Sequence, residues 1–387
     1  MVPHPIGGLD PREVRAKAEQ VVDRVLEALT GDPRPPDTAS VPATVSMTAP
    51  DDLDAFQAFA LAEGWGDGLP VLPPTPERVE RILGRHAAAP ETLIAILAPE
   101  QGLATLGAIA VNAALAGAGP EHLPVIVAAV RAVADPAFNL NAVQTTTHPC
   151  TPLVIVNGPI AREIGVNAGA NALGQGHRAN AVIGRALRLV LQNVGGARPG
   201  ETDRATLGHP GKYAYCLAEN EGASPWDSLA VERGFDKDAS CVTVCGSDAP
   251  TNVNDHGSTT AEALLLAFVG TAAATGNNNI YLGGEPLVIV GPEHALTFAG
   301  SGWSKRDLKR RLWEGARVRL DRFSRENLAR FAQMDPERFS ARPAGAEVAI
   351  ARRAEDVMVI VAGGPGKHSA LVPSFGATRS VTVRVEE

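Results

Sequence analysis

The chain has 387 residues, 45% of them hydrophobic, and a formal charge of −8. That length exceeds what one core usually supports and predicts two or more subdomains or one large fused α/β unit. The acidic balance argues against a nucleic-acid partner, since proteins that bind a phosphate backbone carry a clustered basic face. The absence of a long uncharged apolar run and of a basic-then-apolar leader argues against a membrane span or signal peptide, so the reading is cytoplasmic.

Residues 10–30, with Asp10 as cap, Pro11 in the first turn and Val14, Val21, Val22, Val25, Leu26 and Leu29 at helical spacing, predict one amphipathic helix. Residues 31–49 hold four prolines and no apolar period, which predicts a linker and puts the main body at 50–387, with room for two subdomains. The body opens on "LAEGWGDGLPVLPPTPERVERIL", where three glycines surround Trp65 and Asp67. Such a loop either hangs on one buried Trp or aims Asp67 into a cleft.

Alanine-rich helices are expected at 104–118 and 120–134, and further helices at 179–194, 258–274 and 304–318. "TPLVIVNGP" at 151–159, "EPLVIVGPEHA" at 285–295 and "DVMVIVAGGPGKHS" at 356–369 share a run of β-branched residues that ends in a Gly/Pro turn, and "GPEH" occurs at 119–122 and again at 291–294. Unalternating apolar runs of this length fit strands buried on both faces. The fold class expected is therefore a layered α/β sheet covered by Ala-rich helices and built from internally repetitive strand–turn–helix units, with ligands at the carboxyl ends of the strands. Ala-rich helix surfaces also fit a homo-oligomer.

The last of the three runs resembles a phosphate loop but fails its spacing: Val361 stands where the first glycine belongs, and His368 follows Lys367. What remains is an amide nest at Gly363, Gly364 and Gly366 for an anion, with Lys367 and Ser369 beside it, or else a strand end that needs glycine. "NAGANALGQGHRAN" places Arg178 and Asn180 at a helix start, a second anion-binding candidate. "LGHPGKYAYCLAENE" concentrates His209, Lys212, Tyr213, Tyr215 and Cys216, with the alternation of a half-buried strand.

Four cysteines without a C-x-x-C pair make no disulfide framework and read as reduced thiols. Cys245, set at the end of the strand "SCVTVC", is either a nucleophile activated near a helix start or an inert core thiol. Asp255 and His256 follow it in "NVNDHG", and His148 and Cys150 precede the first strand in "TTTHPC". The candidate catalytic set is thus Cys245, His256, Asp255, His148, Cys150 and His209. The candidate binding set is Trp65, Asp67, Arg178, Asn180, Lys212, Gly363, Gly364, Gly366, Lys367 and Ser369. His148, His177, His209, His256 and His294 are too far apart to form a metal motif, so a metal site would have to be assembled by folding, and no cofactor motif is written in the chain.

"EGWGDGLPVLPPT", "HRANAVIGRALRLVLQNVGG", "LGHPGKYAYCLAENE", "GWSKRDLKRRLWEGAR" and "VAGGPGKHSALVPSFGATRSV" resemble a bacterial family associated with, or fused to, the UGSC (seleno)protein domain. The resemblance covers most of 50–387, and "VPHPIGGLDPREVRAKAEQVV" is similar to the tail of that domain, which is otherwise absent here. The redox motif of the family belongs to the absent domain. Cys245-Gly246-Ser247-Asp248 lacks its second thiol, so no redox role passes to it. The resemblance implies thiol or selenol chemistry nearby, with a UGSC-type redox protein as partner.

Together these features predict an enzyme that acts on a small anionic metabolite by His/Cys acid–base or nucleophilic chemistry, redox-linked or of lyase or hydrolase type. The alternatives are a non-catalytic docking or substrate-delivering partner of the redox protein and a pure ligand-binding module.

Overall fold

The computed structural model describes residues 10–30, 46–84, 86–340 and 345–386. The chain divides into two compact units, Met1–Thr44 and Val45–Glu387. In the first unit the described part is one helix, Pro11–Thr30, closed at its start by Asp10, whose carboxylate accepts the amides of Arg12 and Glu13 at 2.7 and 3.1 Å. Residues 31–45 of the expected linker and residues 1–9 of the UGSC-like tail lie outside the described residues.

Among its described residues the second unit carries twelve strands. In chain order they are β1 (Leu93–Leu97), β2 (Gly102–Thr105), β3 (Thr151–Asn157), β4 (Cys216–Ala218), β5 (Cys241–Ser247) and β6 (Thr251–Asn254). They continue with β7 (Leu287–Val290), β8 (Arg317–Arg319), β9 (Glu347–Ala349), β10 (Met358–Val361), β11 (His368–Val372) and β12 (Val381–Arg384). Two four-stranded sheets form the centre, in the orders β12-β5-β3-β4 and β10-β7-β11-β6. Each contains one parallel pair, β3 with β4 and β7 with β10, followed by two antiparallel pairings. The outer strands cross over: β6 follows β5 in sequence yet closes the second sheet, and β12 follows β11 yet closes the first.

Alternation along each strand assigns its side chains to layers. Val154, Val156, Val242 and Val244 point to a core shared with the helices Leu106–Ala116, Leu123–Ala134 and Arg178–Asn193. Leu153, Ile155, Leu217 and Cys245 point the other way and meet Leu287, Ile289, Met358, Ile360 and Val372 of the second sheet. Val288, Val290, Val359 and Val361 face a third core with Phe268, Phe298, Leu308 and Leu312. The unit is therefore α/β with four layers, helix, sheet, sheet, helix. Strands buried on both faces explain why the β-branched runs do not alternate with polar residues. Each fully buried Val, Leu or Ile in these layers stabilises by about 1.5–3 kcal/mol relative to exposure.

The expected strand–turn–helix repetition does not describe the pairing. The run at 358–361 is followed by a turn and the antiparallel strand β11, and it lies in one sheet beside the run at 287–290. The two "GPEH" copies also occupy unequal places. Pro120–His122 is a 3₁₀ turn ahead of a helix, whereas Gly291 caps the helix Pro292–Gly300 straight after β7.

Candidate functional site

The helix Arg178–Asn193 is the spine on which the polar residues are ordered. Its Arg185 forms a bidentate pair with Asp67, both contacts 2.8 Å, and its Gln192 and Asn193 donate to the Gly66 and Trp65 carbonyls at 2.7 and 3.0 Å. The glycine-rich loop is pinned to this helix, and Asp67 is spent on Arg185. The alternative that aims Asp67 into a cleft is corrected accordingly, and Trp65, edge-on to Phe59 and packed on the core, anchors the loop as in the other alternative. Asn180 is buried, accepting the Asn167 amide at 2.7 Å and donating to the Asn167 and Ala172 carbonyls, while Arg178 reaches the Gly117 carbonyl at 2.9 Å. The anion site expected at this helix start is used internally.

The nest at the third turn is also filled. Gly366 N–H donates to the Glu293 carboxylate at 2.7 Å, Gly363 N–H donates to the Ala168 carbonyl at 2.8 Å, and Lys367 Nζ donates to the His256 carbonyl at 3.1 Å. Gly363 and Gly366 have φ of +110° and +132°, so glycine is required there by the turn itself. The anion in this loop is the protein's own glutamate. Ser369 Oγ sits between the Gly291 amide, 2.9 Å, and His294 Nδ1, 2.8 Å, and His294 Nε2 lies 3.0 Å from the Asp255 carbonyl. The Asp255 carboxylate accepts from Gly257 and Ser258 within its own turn. These residues close the start of β11 against β7, which is a structural use.

Cys245 is likewise corrected. The strand runs on to Ser247, no helix begins before Ala261, and the thiol points into the apolar layer between the sheets, 2% exposed. Burial pushes its thiol far above the ordinary range. Cys150 is buried too, and burial, aided by the nearby Asp248 carboxylate, pushes it up to about 12. Neither is a thiolate at neutral pH, so the nucleophilic role has no reactive form to carry it. All four cysteines are buried and unbridged. The native protein is expected to react negligibly with a thiol reagent at pH 7.5, and unfolding in guanidinium to release four fast thiols; one fast thiol in the native state would contradict this.

What does converge lies at the amino end of β3 and the carboxyl end of β5. His148 Nε2 stands 3.1 Å from the Asp248 carboxylate, its ring stacks on Phe375, and the Tyr215 hydroxyl donates to the Asp248 carbonyl at 3.0 Å. Beneath them Arg188, from the spine helix, donates to Thr151 Oγ1 and, at 3.4 Å, to Gln144 Oε1. Lys212 Nζ pairs with the buried Asp203 at 2.6 Å. His209 flanks the group, its ring edge-on to Tyr215, and its Nδ1 accepts the Gly211 amide at 3.1 Å. Asp248, Lys212 and Arg188 lie within electrostatic range of both Cys150 and His209.

The hydrogens follow from these partners. Because an amide N–H occupies His209 Nδ1, the neutral ring carries its proton on Nε2. Because Asp248 accepts from His148 Nε2, the neutral His148 keeps a lone pair on Nδ1. Three buried nitrogens here, Gln144 Nε2, His148 Nδ1 and Arg188 Nε, meet no hydrogen-bond partner among the described residues, whereas His209 Nε2–H is directed to the Ser247 backbone. Buried polar atoms are ordinarily paired, so their concentration in one place marks a site for something that pairs them. Two of the three are donors and the third is a base.

No family model matches the chain, and no curated protein matches it. The site is read from its own residues. Sequence reasoning had named His148, Cys150, His209 and Lys212 of this group as site residues, noted Tyr215 in the same polar stretch, and missed Arg188, Asp248, Asp203 and Gln144. Arg188 sits in an apolar helix stretch where an arginine is out of pattern, and that was the one signal available. Surface depressions of about 270 Å³, beside Tyr281 and Phe331, and about 250 Å³, beside Ile96 and Asn139, lie elsewhere. Unpaired donors and an imidazole oriented by a carboxylate weigh more for function than those concavities, which lack convergent ionisable groups.

A second polar cluster sits at the other end of β3. The buried Glu219 accepts from Asn157 Nδ2 and from the Leu229 amide, both at 2.7 Å, with Lys305 Nζ at 3.8 Å. Lys305 and Lys309 both reach Glu232, so the helix Lys305–Gly315 is tied by charge to the short helix Leu229–Glu232. Among the described residues no group of three or more His, Cys, Asp or Glu is placed to hold a metal, and no single helix is long and apolar enough to cross a membrane.

Three histidines, His122, His209 and His294, are held below the ordinary imidazole value, first of all by burial. Each binds fewer protons folded than unfolded, so its contribution is present above about pH 6.5 and lost as pH falls through the lowered folded value. Glu219 works in the opposite sense: burial raises its carboxyl, and its contribution is lost as pH rises through the raised value. With three imidazoles against one carboxyl, the urea midpoint is expected to drop between about pH 7.5 and 5.5, and His294→Gln to flatten that slope.

Proposed function

We propose that the protein is an acid–base enzyme acting on a small anionic, oxygen-rich substrate held at the His148–Asp248 site. The observation that carries the reading is the set of unpaired buried nitrogens around one charge-oriented imidazole. Asp248 fixes His148 in the tautomer whose Nδ1 can take a proton, and it stabilises the imidazolium that results. Arg188 and Gln144 offer N–H donors to a carboxylate or to a developing oxyanion, and Lys212 adds a positive charge at the rim. His148 and Asp248 keep 16% and 18% of their side-chain surface exposed, so the site lies just below the surface. Its rim includes the segment 207–212, whose Leu207 is 93% exposed, and entry would require that segment to shift.

This reading makes Cys150 part of the wall and leaves redox chemistry to another protein. The resemblance to UGSC-associated proteins supports such a partner in the cytoplasm, and four buried thiols are consistent with a chain that does not exchange disulfides itself.

The test is turnover or hydrogen exchange of a panel of small carboxylates and phosphate esters, followed by NMR in D₂O. Wild type should convert or exchange at least one member. His148→Gln should lose about 10²–10⁴ of that rate with an unchanged melting temperature, the usual weight of a general base. Equal rates in both proteins would overturn the assignment.

A further inference from the structure

The start of β11 holds a pair of imidazoles that the proposed site does not use. His368, the first residue of the strand, and His256, in the turn after the paired strand β6, approach with their Nε2 atoms 3.4 Å apart and their rings 79° to one another. Both side chains are exposed. A ring N–H shared between two imidazoles is a weak reason for such an approach in water, where each nitrogen has ready partners.

The tautomers can be worked out. His368 Nδ1 lies 3.1 Å from Asn252 Oδ1, an atom that can only accept, so His368 carries its proton on Nδ1 and directs a lone pair from Nε2 toward His256. The hydrogen between the rings then belongs to His256. A metal–nitrogen bond of about 2.0–2.1 Å to both Nε2 atoms at the observed spacing corresponds to a ligand–metal–ligand angle of roughly 110°, close to tetrahedral. An outer partner that fixes the ring and tautomer of a ligating histidine is a regular feature of metal sites, and Asn252 supplies one. His256 is held by its own backbone, its carbonyl accepting from Lys367 Nζ at 3.1 Å.

We propose that His256 and His368 form a two-histidine clamp for a late first-row divalent cation such as Zn²⁺, Ni²⁺ or Cu²⁺, with solvent or a partner's side chain in the remaining positions. Imidazole suits these ions, and Mg²⁺ or Ca²⁺ would find no oxygen cage here. On binding, His256 moves its proton from Nε2 to Nδ1, so both rings stay neutral and no proton is released. The clamp joins the turn that follows β6 to β11. Since β6 continues from the first sheet and closes the second, a metal there would fasten the crossover between them.

Calorimetric titration of the full chain with Ni²⁺ and Cu²⁺ in a non-chelating buffer tests this. One equivalent should bind and raise the melting temperature, and the Cu²⁺ spectrum in electron paramagnetic resonance should show two nitrogen ligands. His256→Ala and His368→Ala should each abolish that equivalent, Asn252→Ala should weaken it about 10–100-fold, and His86→Ala should leave it intact. Because the two histidines are exposed, the variants should melt with wild type in chelator. An equivalent that survives both histidine variants, or a wild type that binds none, overturns the proposal.

Discussion

Replacing Arg188 by methionine is expected to leave the fold standing and to abolish binding of small anions, whereas Arg188→Ala should cost about 3–5 kcal/mol of stability. Arg188 is buried, and burial lowers its pKa from the ordinary arginine value against the pull of Asp203. Methionine keeps the volume of the stem inside the helix–sheet layer, and apolar replacement of a buried charge is often close to neutral when its counter-charge keeps another partner. Asp203 keeps Lys212. The Thr151 hydroxyl and Gln144 amide lose a donor, at about 1–3 kcal/mol for an acceptor left unpaired. Alanine adds a cavity to that loss. Urea unfolding beside anion titration separates the cases: if methionine unfolds the protein as alanine does, Arg188 is a structural arginine and the anion site falls with it.

Gly184→Ala is expected to destabilise, although helix propensity alone predicts the reverse by up to about 1 kcal/mol. Gly184 lies inside Arg178–Asn193 where that helix crosses the strand entering β4, and a Cβ there would stand 2.5 Å from the Tyr215 backbone nitrogen and 3.1 Å from the Ala214 carbonyl carbon. Both obstacles are backbone, so the helix must move away, at the overpacking cost of about 1–3 kcal/mol. The displacement would also reach the site, because Tyr215 holds the Asp248 carbonyl and Arg188 lies one turn further along the same helix. Gly270→Ala, in the helix Ala261–Ala272, meets no atom within 4 Å and should be stabilising. The same exchange in two helices should therefore move the urea midpoint in opposite directions; equal signs would mean that the helix and β4 are less closely packed than the structure places them.

Much of the architecture was legible in the amino-acid sequence because it rests on local periodicity. Spacing near 3.6 marked the helices at 178–193, 261–272 and 305–315 to within a few residues, and β-branched runs marked β3, β7 and β10 as strands covered on both faces. Resemblance among those runs did not determine how they pair, since register and sheet partner depend on contacts between residues far apart in the chain. The runs at 287–290 and 358–361 became neighbours, and the outer strands crossed between sheets.

The site divides in the same way. Residue type was enough to bring His148, His209 and Lys212 to notice, because imidazoles and amines among turn glycines are chemically capable wherever they sit. Type was not enough for Cys245, whose reactivity is set by burial, or for Gly363 and Gly366, whose amides are taken up in part by Glu293, 73 residues earlier. Asp248 lies 100 residues from His148, and only folding brings its carboxylate to the ring nitrogen that sets the tautomer. By itself the sequence determined which segments become helix or strand and which side chains can do chemistry, since both are properties of neighbouring residues. Tertiary structure alone decided which of those side chains meet and which are left unpaired, because desolvation and hydrogen-bond partners are conferred by distant parts of the chain.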